Sequence, residues 1–424
     1  MKPYSEFTKE ELLAEKQSLE EAYKEFQKRK LTLNMARGKP SKEQLNLSLE
    51  MLTDVNQDTD MIIEDGVDVR NYGVIDGIYG AKQIIATMAK SEAEHVIVFG
   101  NSSLNVMFDT VARGMVSGYG GNTPWYEIKD RKWLCPVPGY DRHFTITEFF
   151  GFEMINIPMN EEGPDMDMVE DLVSKDPSIK GIWCTPKYSN PSGIVYSVET
   201  VKRFANLSPA APDFRIFWDN AYAIHDLYEE IALADIFGYA IPKGKQDMIY
   251  EFVSTSKVSF PGSGIAGIIA SQKNLDEIRA AMAAQTIGHD KINQLRHALF
   301  FDNGRHLADH MKKHAEIIRP KFEKLEETLD AELEGLGCGT YTKPRGGYFI
   351  TYVTNPGCAR RVIELAKEAG MTMTGAGAPF PHKNDPEDST IRIAPTFPNL
   401  EEIGVASELF TLCVKLATVE KLLK

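Results

Sequence analysis

A lone lysine, Lys257, stands in the Ser/Thr/Gly-rich stretch STSKVSFPGSG, and upstream of it the apolar run FRIFWD ends in Asp219 with Tyr222 three residues on. A lysine can hold an aldehyde as an imine. A carboxylate can keep a heteroaromatic nitrogen protonated, because an adjacent opposite charge favours the charged form, and a phenol can donate to a phenolic oxygen. These are the demands of pyridoxal 5'-phosphate, which serves as an electron sink only as an imine with a protonated ring nitrogen. Each residue alone has a plainer reading: an acid before a polar loop commonly ends a parallel strand, and most lysines beside serine are solvated.

Other segments carry complementary chemistry. HVIVFGNSSLNVMFD reads as a strand, a Gly-Asn-Ser-Ser turn and a helix start. Ser102 and Ser103 there either cap the helix or, with its first amides, hold a phosphate. VPGYDRHF presents Tyr140 where a planar ring can stack, and His143 beside it can brace Asp219; an aromatic after Pro-Gly is otherwise a packing residue and such a histidine a satisfied polar one. YSNPSG is a turn by composition, and it would hold the Asn190 amide rigidly enough to bond a phenolic oxygen. Arg392 sits in the apolar run TIRIAP and needs a partner, either a bidentate substrate carboxylate or an internal acid.

These residues need a scaffold. At 424 residues the chain exceeds what one core usually serves, which predicts two domains. From about residue 75 short apolar runs alternate with helical patterns: HVIVFG, KWLCPVP, GFEMINIPM, IKGIWCTP, FRIFWD, MIYEFVSTS and IAGIIAS read as strands, IYGAKQIIATMAK and SLNVMFDTVARGMV as helices. That alternation predicts an α/β fold with a mostly parallel sheet covered on both faces. Ligands then bind beyond the carboxyl ends of the strands, where Gly100, Thr185, Asp219 and Ser254 fall. Thr8–Lys30 reads as a helix opened by the capping box Thr8-x-x-Glu11, with Leu12, Leu19, Tyr23 and Phe26 on one apolar face. A long charged helix over Asp302–Leu336 leads to GTYTKPRGGYFITYV, a helix over Ala359–Ala369 and STIRIAPTF, together a small α+β unit. The expected division is 1–55 (N-terminal helix and part of the small domain), 56–305 (large domain) and 306–424 (C-terminal small domain).

The net charge of −14, with no Lys/Arg run, argues against a nucleic-acid partner, so an anionic substrate has to be caught by locally placed arginines. Cys135, Cys184, Cys338, Cys358 and Cys413 form no C-x-x-C pair and leave an odd count, which fits reduced thiols, with Cys135 and Cys184 in the core. No metal-ligand spacing stands out. No apolar stretch reaches the length of a membrane helix, and MKPYSEFTKEELL is charged rather than signal-like, so the expected location is cytoplasmic, away from membranes.

The order GNSS, PGY with His143, NPSG, DNAY, STSK and a late arginine resembles the fold type I pyridoxal phosphate enzymes, specifically the aspartate aminotransferase superfamily. The likeness runs from about Arg37 to Arg392, and MARGKPS, GNSSLN and WDNAYAIHD look most like a divergent bacterial branch of aspartate aminotransferases. The resemblance implies a large domain with a seven-stranded-type sheet plus a smaller α+β domain. It implies that Lys257 forms the internal aldimine, Asp219 pairs with the pyridinium nitrogen, Tyr222 and Asn190 bond the phenolic oxygen, Tyr140 stacks on the ring and His143 supports Asp219. Ser102, Ser103, Ser254 and Ser256 would hold the phosphate. Tyr72 would reach the neighbouring subunit's phosphate, making a homodimer with shared sites. Arg392 would take the substrate α-carboxylate, with Gly38 and Asn190 near it.

One departure stands out. Many members carry an arginine shortly after the lysine loop, whereas KVSFPGSGIAG has none, so Ser256, Ser263 or a cation from elsewhere must compensate. A dicarboxylate also needs a second cation, for which Arg37, Lys39, Arg142 and Arg345 are candidates. The expected reaction is transfer of the amino group of L-aspartate to 2-oxoglutarate, with small amino and 2-oxo acids as partners. The alternatives are aromatic, alanine-type or aminoadipate donors, a lyase or decarboxylase of the same fold, and a ligand-sensing domain like that of related regulators. The last is disfavoured because MARGKP arrives too early to leave room for a helix-turn-helix unit.

Overall fold

The computed structural model describes residues 2–424. Its centre is an eight-stranded sheet in the order Val96–Val98, Ala266–Ala270, Ile249–Ser254, Arg215–Asp219, Ile179–Cys184, Lys132–Val137, Glu153–Asn160 and Gly163–Pro164. All neighbours from Ile249–Ser254 to Glu153–Asn160 pair in parallel. Ala266–Ala270 runs against both of its neighbours. The seven strands expected from the sequence are all present; Gly163–Pro164 is a two-residue antiparallel addition at the edge.

The three central strands Ile179–Cys184, Arg215–Asp219 and Ile249–Ser254 are buried at every position, so they show no alternation of polar and apolar residues. Their charged members are internally compensated. Lys180 Nζ meets Asp213 Oδ1 at 2.8 Å, Trp125 donates to Asp213 Oδ2 at 2.7 Å, and Arg215 lies over the Tyr119 ring. Trp133, Trp183 and Phe217 pack together beneath the strand ends with ring centroids near 5 Å, Phe217 edge to face with both tryptophans and the two tryptophans tilted to each other.

The second unit has a three-stranded antiparallel sheet, Gly339–Tyr341, Ile350–Thr354 and Thr390–Ile393, packed against the helices Leu307–Leu333, Ala359–Glu368 and Leu400–Leu422. The helix Lys9–Lys28 joins the same apolar core through Leu12, Leu19 and Tyr23. Its start is the expected capping box, with Thr8 Oγ1 accepting from Glu11 N–H and Glu11 returning the bond at 2.7 Å. Leu33–Asn34 then pairs in parallel with Met371–Thr372 in a separate two-stranded sheet, tying the N-terminal segment to the small unit.

Two helices differ from the sequence reading. The long charged helix begins at Leu307 rather than Asp302, because Asp302 and Asn303 take left-handed backbone angles and break the helical run. The helix Leu400–Leu422 gave no amphipathic signal, since it is buried around most of its circumference. All five cysteines are buried and unpaired. Among the described residues, no helix is long and apolar enough to cross a membrane, and no group of three acidic, His or Cys side chains is placed to hold a metal ion.

Candidate active site

Three strands end around one cavity of about 380 Å³. Asp219 and Ser254 are the last residues of their strands, Thr185 follows a third, and all three line the cavity. Gly100 does not line it; its carbonyl is used by the Ala266 amide. Lys257, Tyr222, Ser102, Ser103, Tyr140, Asn190, Ser256, Arg392 and Gly38 complete the wall, together with Arg37, Lys39, Asp141 and Arg142. Segments far apart in the sequence are thus brought to one place; of the expected residues, His143, Tyr72, Arg345, Ser263 and Gly100 lie outside the lining.

His143 stands one layer back. Its Nε2 lies 2.8 Å from Asp219 Oδ2, and its ring stacks on Trp183 at 4.5 Å, which fixes the ring plane. A carboxylate can only accept, so Nε2 carries the hydrogen. Asp219 is 3 % exposed, and its other oxygen, Oδ1, is buried with no partner. A buried carboxylate oxygen left unpaired is costly, and it marks where a donor belongs.

Lys257 Nζ lies 4.9 Å from the centre of the Tyr222 ring. Burial pushes the Lys257 ammonium below the ordinary lysine value, with Asp219 acting in the opposite direction. Burial also drives the Tyr222 phenol well above its ordinary value, so it is a hydrogen-bond donor throughout the neutral range. The Tyr140 phenol is pushed up to about 12, again mainly by burial.

Asn190 has its amide orientation fixed by Arg392. The guanidinium can only donate, and its Nη1 reaches Asn190 Oδ1 at 3.3 Å, so Nδ2 is turned away with its two hydrogens. Arg392 is 7 % exposed and also binds Asp141 Oδ1 at 2.9 Å, while Nε and Nη2 touch only Thr374 Oγ1, at 3.4 and 3.3 Å. The internal acid considered for this arginine therefore exists, and it is Asp141, which the sequence reading did not single out. Gly38 is required by packing: a Cβ there would lie 2.4 Å from Phe349 Cζ.

At the other end of the cavity Ser102 is the N-cap of the helix Ser103–Ser117, with extended angles, yet its hydroxyl makes no capping bond. That removes the ordinary-cap reading for Ser102. Ser254 donates to Ser256 at 3.1 Å and Ser256 to the Asn101 carbonyl at 3.2 Å, so these two hydroxyls are already linked to each other. Ser263 lies outside the lining but accepts from Arg296 Nη2 at 2.6 Å, so a guanidinium does reach the lysine loop, from the helix Lys291–Phe300.

The cations divide clearly. Arg345 pairs with the exposed Glu229 at 2.7 Å and lies over Tyr228, away from the cavity. Lys39 sits over the Phe397 ring at 3.9 Å. Arg37 and Arg142 have no ion-pair partner among the described residues. Tyr72 is 81 % exposed and contributes nothing to this cavity in the single chain.

Behind Asp219, Asn220 donates to Glu251 Oε1 at 2.8 Å. Glu251 is a charged residue inside the apolar strand MIYEFVS, a signal that reading the strand as a continuous apolar run passed over. Burial, aided by Asp235, raises its carboxyl to about 8 against the bond from Asn220. Since the folded value lies above the unfolded one, stability is intact below the unfolded value of 4.5 and is lost as pH rises to about 8. Glu251→Gln is expected to remove that slope, on the order of 5 kcal/mol over the window. Urea midpoints of the cofactor-free protein at acid and at mildly alkaline pH should converge in the variant; an unchanged slope would assign the effect to another group.

Comparison with known proteins gives a consistent picture. A family model described as aspartate amino-transferase matches residues 7–424. An aspartate aminotransferase of Corynebacterium glutamicum is 43 % identical over 406 residues, covering 95 % of this chain and 94 % of its own. The crystal structure of an aspartate transaminase from the same species superposes with a TM-score of 0.95 at 42 % identity over 99 % of both chains. An α-aminoadipate aminotransferase from Thermus thermophilus shares the fold, with a TM-score of 0.73 at 20 % identity over 92 % of this chain and 93 % of its own. With the cavity, its residue set and these similarities in agreement, the chain belongs to the aspartate aminotransferase family and is a fold type I aminotransferase.

Proposed function

We propose that this aminotransferase uses pyridoxal 5'-phosphate to move the amino group of L-aspartate to 2-oxoglutarate, releasing oxaloacetate and L-glutamate in two half-reactions. The observation that carries the cofactor is the orphaned, buried Oδ1 of Asp219 in the same cavity wall as Lys257. A protonated ring nitrogen is the donor that oxygen lacks. The uncommitted Ser102 hydroxyl at a helix start, the Asn190 Nδ2 that Arg392 leaves free and the protonated Tyr222 phenol fit a phosphate and a phenolic oxygen in turn.

When bound, pyridoxal phosphate supplies an aldehyde that condenses with amines and a protonated ring that accepts the electron pair of a broken α C–H bond. Lys257 would hold that aldehyde, and its Nζ, once free, would take the proton from the substrate α-carbon, a role favoured by its lowered ammonium value. Asp219, aimed by His143 Nε2–H, would keep the ring nitrogen protonated. Tyr222 and Asn190 would serve the phenolic oxygen as donors, and Tyr140 would pack against the ring. Arg296, already hydrogen-bonded to Ser263, is the cation that offsets the arginine missing from the lysine loop.

Arg392 binds the α-carboxylate and so fixes which bond lies along the ring's π system. Replacing it with lysine, which lacks the planar fork, is expected to lower kcat/KM for aspartate and for 2-oxoglutarate alike by about 100-fold, mostly through KM. Steady-state kinetics with both substrates and with L-alanine check this; a loss absent with L-alanine, which has only the α-carboxylate, would assign Arg392 to the side-chain carboxylate instead. That second carboxylate falls to Arg37 or Arg142, the cavity guanidiniums without an ion-pair partner among the described residues, Lys39 being held over the Phe397 ring.

The acting species is a homodimer. Support comes from the unusual exposure of Tyr72, next to Gly73, whose amide bonds the carbonyl of Ile287, another exposed large apolar residue. Residues 1–55 and 306–424 act as one unit that closes over 56–305 and excludes water. The deciding experiment mixes cofactor-loaded protein with L-aspartate alone and follows the absorption spectrum. Loss of the visible band, a near-ultraviolet band in its place and stoichiometric oxaloacetate are expected. A spectrum unmoved by aspartate but moved by another amino acid would change the donor, and release of ammonia or pyruvate would make the enzyme a lyase.

A further inference from the structure

The backbone of the lysine loop is held from below by a buried hydrogen-bonded network centred on Gln44. Gln44 is the last partner of a capping box that opens the short helix Lys42–Asn46: Ser41 N–H donates to its Oε1 at 3.0 Å, and Ser41 Oγ accepts from its own N–H. With Oε1 engaged by the cap, the amide nitrogen faces inward, into a wholly buried space. One of its hydrogens goes to Tyr348 Oη at 2.8 Å, and the other to His314 Nδ1 at 3.1 Å.

The consequences follow from donor and acceptor counting. Tyr348, having accepted, donates to the Lys257 carbonyl at 3.4 Å, which His225 Nε2 also approaches at 3.4 Å. His314, with Nδ1 as acceptor, carries its hydrogen on Nε2 and donates to the Val258 carbonyl at 3.1 Å. His310 Nε2, 3.1 Å from His314 Nε2, lies 2.8 Å from the same carbonyl, close enough to donate to it as well. One amide therefore sets the donors on two successive carbonyls, those of Lys257 and Val258. Burial keeps both histidines below their ordinary values, His314 reaching about 3, so neither adds a charge that would compete.

We propose that Gln44 is a positioning residue for Lys257, through which the small unit sets the backbone of the lysine loop. The inference rests on Lys257 being the reacting residue. Gln44 comes from the N-terminal segment, Tyr348 from beside the small sheet, and His310 and His314 from the long helix, whereas Lys257 and Val258 belong to the loop after a strand of the large sheet. A shift of the small unit is thereby transmitted to the lysine through hydrogen bonds to its own peptide, not through its side chain.

The test uses Gln44→Glu and Gln44→Leu in the full chain. In the cofactor-free wild-type protein, nitrogen-15 spectra of the imidazoles should show His310 and His314 neutral with hydrogen on Nε2. Gln44→Glu, now acceptor only, should move a hydrogen to His314 Nδ1. The pH midpoint for acylation of Lys257 by an amine-reactive ester in the same protein should rise toward the ordinary lysine value in both variants. In loaded enzyme kcat should fall at least tenfold, with KM for aspartate held within about threefold. Tyr348→Phe removes only the hydroxyl link, so it serves if Gln44→Leu does not fold, and it should shift the Lys257 midpoint in the same direction. A folded Gln44→Leu or Tyr348→Phe protein with wild-type kcat and acylation midpoint would overturn the proposal, as would a wild-type His314 protonated on Nδ1. Because the imidazole spectra report the network without turnover, its failure is distinguishable from failure of the Lys257 assignment.

Discussion

Lys257→Ala is expected to reduce turnover by at least about 10⁴-fold, the upper range for a positioned general acid–base, with the loss of the anchoring amine adding to it. The same variant should still capture pyridoxal phosphate without a covalent bond, because Asp219, the Ser102 helix start and Asn190 are untouched. Two measurements separate these effects: steady-state rates with aspartate and 2-oxoglutarate, and retention of cofactor through gel filtration with and without borohydride reduction. Wild-type protein should keep the cofactor on a reduced tryptic peptide containing Lys257, and the variant should release it on denaturation. Small primary amines added to the variant should restore part of the rate, since they replace Nζ as the base. Normal turnover in Lys257→Ala would remove the lysine from the mechanism.

Asp219→Ala should cost about 10³-fold in the aspartate half-reaction, matching the several kcal/mol lost when one partner of a buried charged pair is removed. Two consequences follow from the geometry. The ring nitrogen loses the oxygen that Oδ1 offers it, and His143 Nε2–H loses Oδ2, leaving a buried donor that costs about 1 to 3 kcal/mol of stability. The rate should therefore fall far more than the melting temperature. Asp219→Asn separates the two, because an amide oxygen can still accept from His143 while the charge is gone. Single-turnover spectra with aspartate, followed beside thermal melts of both variants, decide the matter; a near-wild-type rate in either would place the ring nitrogen's partner elsewhere.

Much of this site was legible because its parts are local. Asp219 and Ser254 terminate strands whose apolar runs are visible in the chain, and Ser102 stands where a turn feeds a helix, so their placement at one sheet edge follows from alternation of strand and helix alone. The capping box at Thr8 was likewise readable, since its partners are three residues apart. Other features were not. Arg345 belongs to a motif that invites a binding role, yet it reaches Glu229 on the surface, a pairing decided by how the segment at Asp226 meets Gly346. Glu251 passes unremarked within its apolar strand, and only the packed structure sets the Asn220 amide against its buried carboxyl.

The sequence by itself determined the succession of strands and helices along the chain, the placing of Asp219 at a strand end with Tyr222 and Lys257 in the loops that follow, and the motif order of an aminotransferase family. These depend on periodicity, caps and residues near one another in the chain. Only the tertiary structure decided that Asp141 occupies Arg392 across 251 residues, that Asn190 turns its amide oxygen to Arg392, and that Gln44 reaches His314 and Tyr348. The first two contacts join the small unit to the large one, and the last ties the N-terminal segment to the long helix and to a residue beside the small sheet. Their donors and acceptors are matched only when the packed units bring remote side chains within about 3 Å, a condition that no local pattern in the chain encodes.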